Sequence, residues 1–286
     1  MRSAMRSGVL STVLTVAAAP AAAFSLYGPV DDPVSGARWG AEALADGLVV
    51  SVDANVAAAF SPADAGEQAQ IDALLAAAFG VWENGALGFD ITLGDSGPAD
   101  IEVRAIAGTD PLLAGARFGI AYVDFAYDPD RALSNGQVVP GWTIQGATIY
   151  LAVDRILETT APVGRWFQFL IAQKVLSHEI GHAIGLGHTN DPTLRYYDTD
   201  FDPNNGMVID PTSPFADLVD SPNRLLGTTM STDPCGGPML CLALVTTALS
   251  PDDLGGRDVL YPFLPEPAPL ALLAAAATGA LALRRR

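Results

Sequence analysis

The chain has 286 residues, half of them hydrophobic, and a formal net charge of −17, with only 15 Lys and Arg against 32 Asp and Glu. That length holds one sizeable core, or one domain with appendages. So acidic a surface speaks against nucleic acid or an anionic membrane as partner. Residues 1–23 read as a secretory signal peptide: Arg2 and Arg6 give the positive start, Val9 to Ala19 the apolar run, and Ala21-Ala22-Ala23 an A-x-A-like cleavage site. The run is well short of the ~20 residues that span a bilayer, so export is favoured over anchoring. Residues 24–44 follow as an N-terminal segment.

Residues 46–56 (DGLVVSVDANV) alternate apolar and polar and predict a strand. Ser61 before Pro62 predicts a helix start, with cap and first-turn proline. Ile71, Leu74, Leu75, Ala78, Phe79 and Trp82 then recur at helical spacing as its core face. Residues 87–93, 99–106, 117–125 and 146–154 predict four more strands, and the Gly/Pro/Asn/Asp-rich stretch 128–141 a loop. A long helix is expected from Val163–Trp166 onward, burying Phe167, Leu170, Ile171 and Val175. Two acidic runs, Asp124, Asp128 and Asp130, and Asp198, Asp200 and Asp202, offer oxygen ligands for structural Ca2+; the alternative is solvated acidic loops.

That helix leads into HEIGHAIGLGH, which contains all three histidines of the chain. Residues four apart share a helix face, so His178 and His182 can aim at one metal ion. Glu179 lies on the same turn, where its carboxylate can reach water at the metal. Gly185 lets the backbone leave the helix through positive φ, and His188 returns as the third ligand. The fourth position stays open, as in catalytic rather than structural zinc sites. A buried helix that happens to carry histidines is the plain alternative, and the fixed spacing disfavours it.

The motif resembles the HExxHxxGxxH zinc signature of the metzincin metallopeptidases. The resemblance implies zinc held by His178, His182 and His188, Glu179 as general base, and a methionine turn beneath the metal. Met230 in GTTMSTD is the closer match for that turn, with Met207 in NNGMVID as the other candidate. The order of elements, with AF-x-x-W in the first long helix and LSPDDLGGRDVLYP at 249–262, is similar to the matrixin branch. It implies an α+β fold across residues 45–262: a twisted mixed sheet, an active-site zinc helix, a second long helix and a C-terminal helix. Ser250 would cap that last helix, with Asp252 and Asp253 structural. In a matrixin-like fold, 117–125 would be the edge strand with which a peptide substrate pairs. Matrixins also carry a cysteine-bearing propeptide, and no cysteine precedes the domain here.

Cys235 and Cys241, the only two cysteines, are close enough to close a small disulfide loop, stabilising by roughly 2 kcal/mol on a chain-entropy view; free thiols or zinc ligation are the alternatives. The end, residues 263–286, joins Pro265-Glu266-Pro267 to the apolar run Ala268–Leu283 and three arginines. It resembles the PEP-CTERM sorting signal, which implies processing by an exosortase-type enzyme, with a simple membrane anchor as the alternative. The expected protein is an exported, monomeric zinc endopeptidase of the cell surface, acting on protein or peptide and not on nucleic acid. The rival expectations are a non-cleaving, zinc-stabilised surface- or matrix-binding module and a metalloenzyme acting on a non-peptide amide.

Overall fold

Leu48, Val50 and Val52 are all buried, and their strand β3 (Leu48–Val52) is an interior strand, one in from an edge, of a sheet whose apolar face carries the core. The computed structural model describes residues 25–26, 36–94, 97–113, 118–132, 138, 140–161, 164–187, 248–249 and 251–261. β3 pairs in parallel with β4 (Phe89–Leu93) on one side and β5 (Ile101–Ala105) on the other. β5 in turn pairs in parallel with β7 (Gly141–Leu151). A two-residue strand, β2 (Arg38–Trp39), continues the parallel pairing along β7 at Thr143–Ile144. The other side of β7 takes β6 (Gly119–Asp128) antiparallel, which leaves β6 on the border of the six-stranded sheet. A separate small ribbon pairs β1 (Ser25–Leu26) with β8 (Leu186–Gly187).

The expected strand 46–56 ends early because Asp53 turns into a helix cap. Its carboxylate accepts the Asn55 N–H at 2.7 Å, opening α2 (Ala54–Ala59), the second helix after the one-turn α1 (Ala41–Leu44). The next helix, α3 (Ala65–Gly80), starts at Asp64 and not at Ser61. Ser61 instead adopts φ +51°, turning the chain after α2. Asp64 accepts the Glu67 N–H at 2.9 Å while Glu67 reaches back to the Ala63 N–H at 2.6 Å, a reciprocal cap of the D-x-x-E kind. The predicted core face is buried as expected: Ile71, Leu74, Leu75, Ala78, Phe79 and Trp82.

α4 (Val153–Thr160) leads to the long α5 (Arg165–Ala183), which is buried nearly all round. Its core contacts come from Phe169, Ile171, Ala172, Leu176 and Ile180, whereas Phe167, Leu170 and Val175 are only partly covered. The expected face was rotated because it assumed one solvent side, and α5 lies between α3, α4 and the sheet. A C-terminal helix, α6 (Pro251–Leu260), closes the fold. Ala37 and Trp39 already belong to the core, so the packed unit takes in part of segment 24–44. The whole is mixed α and β with a largely parallel sheet, as the α+β reading has it at this level. The predicted cap Ser250 and residues 262–286 lie outside the described residues, among which no helix is long and apolar enough to cross a membrane.

Both ends of α5 are fixed by distant residues. At its start, Arg165 bonds Glu67 at 2.6 Å, donates to the Phe60 carbonyl and stands over the Phe169 ring. At its finish, the Trp39 indole N–H donates to Ala183 O at 3.0 Å and the Tyr261 hydroxyl to Ile184 O at 2.8 Å. These groups satisfy carbonyls that a helix end leaves without intrahelical partners. Gly185 then turns the chain at φ +105°, where a Cβ would stand 2.1 Å from the Ala37 carbonyl oxygen. Gly185→Ala is expected to cost about 3 kcal/mol or more, from the positive φ together with the clash. Gly80→Ala, with nothing near its Cβ position, should instead gain about 0.5–1 kcal/mol. Urea unfolding midpoints of the two variants check the pair.

Candidate metal centre

α5 brings His178, Glu179 and His182 onto successive turns at its C-terminal end. The two imidazoles stand edge to face, ring centroids 4.7 Å apart at 86°, and their Nε2 atoms approach to 3.2 Å. His182 is buried, and its Nδ1 lies 2.7 Å from the Leu186 carbonyl oxygen. A carbonyl only accepts, so Nδ1 carries the hydrogen and the lone pair of the neutral ring sits on Nε2, facing His178. This is the orientation that a metal-ligating imidazole needs, with its far nitrogen held by a backbone carbonyl. Two nitrogens bound to one tetrahedral zinc at about 2.0–2.1 Å would lie roughly 3.3–3.4 Å apart. The observed 3.2 Å fits that edge.

The turn at Gly185 places Leu186 where its carbonyl can meet His182. Gly185 N–H bonds back to His182 O at 2.9 Å, and Leu186–Gly187 then pairs with Ser25–Leu26. His188, the next residue, lies outside the described residues, as do Met207, Met230, Cys235, Cys241 and the acidic run at 198–202. Among the described residues no group of three or more His, Cys, Asp or Glu is placed to hold a metal ion. The pair His178–His182 is therefore the part of the expected ligand set that the fold brings together. Of the other acidic run, Asp124 stands four positions from Asp128 along β6, about 13 Å at strand rise. Asp128 instead accepts the Asp130 N–H at 2.9 Å, closing a local turn.

Glu179 faces the start of β6. A Cβ on Gly119 would lie 3.0 Å from the carboxylate Oε1, so glycine there leaves room for it. Burial pushes the Glu179 carboxyl up to about 8, against a pull downward from the Ala121 N–H that bonds it. Such a carboxylate is poised to hold or release a proton near neutral pH. Two residues before Glu179 on α5, the Trp82 indole N–H donates to Ser177 O at 2.8 Å and Ser177 Oγ reaches Ala78 O at 3.4 Å. Trp82 is thus core packing, as expected, and also a fixed support beside His178. Asp253 is buried, and its charge favours the charged form of Lys174, whose own pKa burial pulls down.

Sequence reasoning missed Gly119, Ala121, Leu186 and the capping pair Trp39 and Tyr261. Gly119 in RFGIAY was a visible signal, since a glycine inside an alternating run marks a close approach by another group. The two caps left none, because their partners are main-chain atoms far away in sequence, and the Leu186 carbonyl left none because any residue type supplies that main-chain oxygen four positions after His182.

No family model matches this chain, and no curated protein matches it. Among solved structures it is similar to the GM1-bound form of the ECX AB5 holotoxin, at 13% identity over 66% of this chain and 70% of that one. The TM-score is 0.29, too low to bear on fold or function.

The raised carboxyl has a consequence for the metal-free protein. Below about pH 4.5 Glu179 is protonated whether folded or unfolded; from there to about 8 only the folded chain keeps the proton. Folded stability should therefore fall as pH rises through that window and level off above it. Thermal melts in chelator across that range should show the slope, and Glu179→Gln should flatten it.

Proposed function

We propose that this chain is a zinc-dependent endopeptidase of the metzincin kind, matrixin-like, with His178, His182 and His188 as ligands and Glu179 as general base. The observation that carries the reading is the pairing of two converging Nε2 atoms with a buried carboxylate on the same turn as His178, beside the start of the edge strand β6. Zinc bound there supplies Lewis acidity: it acidifies water and polarises a carbonyl.

The remaining chemistry belongs to side chains and backbone of the chain. Glu179 accepts a proton from the attacking water and returns it to the leaving amine, which its carboxyl, lifted toward neutral by burial, is suited to do. The Ala121 N–H keeps that carboxylate aimed along β6. His182 is held in one tautomer by Leu186, so its Nε2 has no freedom to turn away. Among the described residues no strand pairs with the outer side of β6, so an extended peptide that adds there sets its scissile carbonyl near Glu179.

The signal peptide at 1–23 and the PEP-CTERM-like tail at 263–286 favour an exported enzyme sorted at the cell surface through an exosortase-type partner. A non-cleaving binding module would have no use for Glu179, and its burial next to two imidazoles is costly without a chemical role.

Glu179→Ala should retain zinc and lose activity by about 10²–10⁴-fold, the usual worth of a general base. His182→Ala should lose the metal itself. Casein zymography with and without chelator, beside metal analysis of each variant, separates the two outcomes; a fully active Glu179→Ala overturns the reading.

A further inference from the structure

The edge strand β6 carries a feature that peptide hydrolysis alone does not call for. Its sequence, GIAYVDFAYD, has no Lys or Arg, and it holds three of the exposed large hydrophobic side chains of the described residues: Tyr122, Phe125 and Tyr127. Phe125 and Tyr127 are 40% and 56% exposed, and both meet Trp142 of β7 edge to face, at 5.4 and 5.7 Å.

The ladder fixes which way each residue points. Phe118 O accepts the Ala152 N–H, so even-numbered main-chain groups turn toward β7 and odd-numbered ones toward the open side. Ala121 fits this, since its N–H goes to Glu179 and not to β7. The register shift near Asp124/Phe125 comes from an extra residue, Gln145, on β7, so β6 itself stays regular. Phe125 and Tyr127 therefore share the face of Gly119 and Ala121, while Asp124 and Asp128 share the other. An added strand would pair with the main chain of Val123 and Phe125, and its side chains would alternate between an aromatic cradle and a row of carboxylates.

We propose that β6 is an extended specificity site, selecting peptides that carry a large apolar side chain about four residues from the scissile bond, flanked by Lys or Arg. The inference rests on the endopeptidase reading for the position of the scissile bond. It commits to one occupant, an extended apolar and basic peptide, on charge complementarity and on the unbroken run of the edge from Ala121 to Tyr127. Four residues of strand separate Ala121 from Phe125, about 13 Å. Antiparallel addition, the more stable pairing per residue, puts the anchor on the N-terminal side of the cut. The anchor paired with Phe125 is flanked by positions opposite Asp124 and Ala126: a Lys or Arg at the first meets Asp124 directly, and one at the second reaches Asp128 diagonally.

The test uses the full-length protein loaded with zinc and pairs of peptides that differ only in Phe or Ser at the anchor position, or in Lys or Glu beside it. Wild type should cleave the Phe–Lys peptide about tenfold more efficiently than either substituted one, through KM. The Glu179→Gln protein should bind it about tenfold more tightly, read by fluorescence anisotropy. Phe125→Ser with Tyr127→Ser should erase the Phe preference, and Asp124→Asn with Asp128→Asn the Lys preference. All four side chains lie outside the core, and near-UV circular dichroism verifies that the variants are folded. Cleavage without any preference, or a preference that survives the substitutions, overturns the proposal and leaves the endopeptidase reading intact. Preferential binding by Glu179→Gln with no cleavage by wild type supports the docking edge and overturns the endopeptidase reading.

Discussion

The C-terminal end of α5 is the constraint on which the rest depends. A helix carrying His178, Glu179 and His182 can hold them in one arrangement only if it stops where the chain turns back over these side chains. Gly185 makes that stop by lying against the Ala37 carbonyl at a distance no side chain would tolerate. Trp39 and Tyr261 bond the last carbonyls, Trp82 the Ser177 carbonyl nearly two turns back, and Arg165 fixes the far end. Segments from both ends of the described chain thus converge on one helix, and Leu186 falls where it can orient His182.

Burial of that helix has a cost and a use. Gln168, Gln173, Lys174, Ser177, Glu179 and His182 are all buried polar residues on α5. Buried polar groups are expensive unless bonded, and several of these find partners in main-chain oxygens: Gln168 in Leu157 O, Ser177 in Ala78 O, His182 in Leu186 O. Glu179 has the Ala121 N–H, and its burial is what lifts the carboxyl into the range where it can exchange protons. A site whose carboxylate were fully solvated would hold its proton only in acid.

The sequence made the histidine-bearing helix legible because the spacing of His178 and His182, the helix period and the Gly185 turn all obey local rules. The core face of α3 was equally readable from periodicity. The start of α3 was misread since Ser61-Pro62 satisfied one capping rule, while the true signal, Asp64 with Glu67, lay three residues on and the chain needed Ser61 for a turn. The buried side of α5 was misread because a helix enclosed on several sides has no single stripe to find. The supports from Trp39 and Tyr261 depend on pairings of main chain and side chain across the fold, which no window of sequence contains, and the Leu186 carbonyl is a main-chain group that no residue type marks. The same holds for the aromatic cradle: Trp142 meets Phe125 and Tyr127 only through the register of β6 on β7.

The most direct measurement on the centre itself is the metal content of the purified protein together with X-ray absorption at the zinc edge. The account predicts one zinc per chain with a first shell of nitrogen and oxygen only, at about 2.0–2.1 Å. Zinc well below one per chain, or sulfur scattering at about 2.3 Å from Cys235 or Cys241, would contradict it.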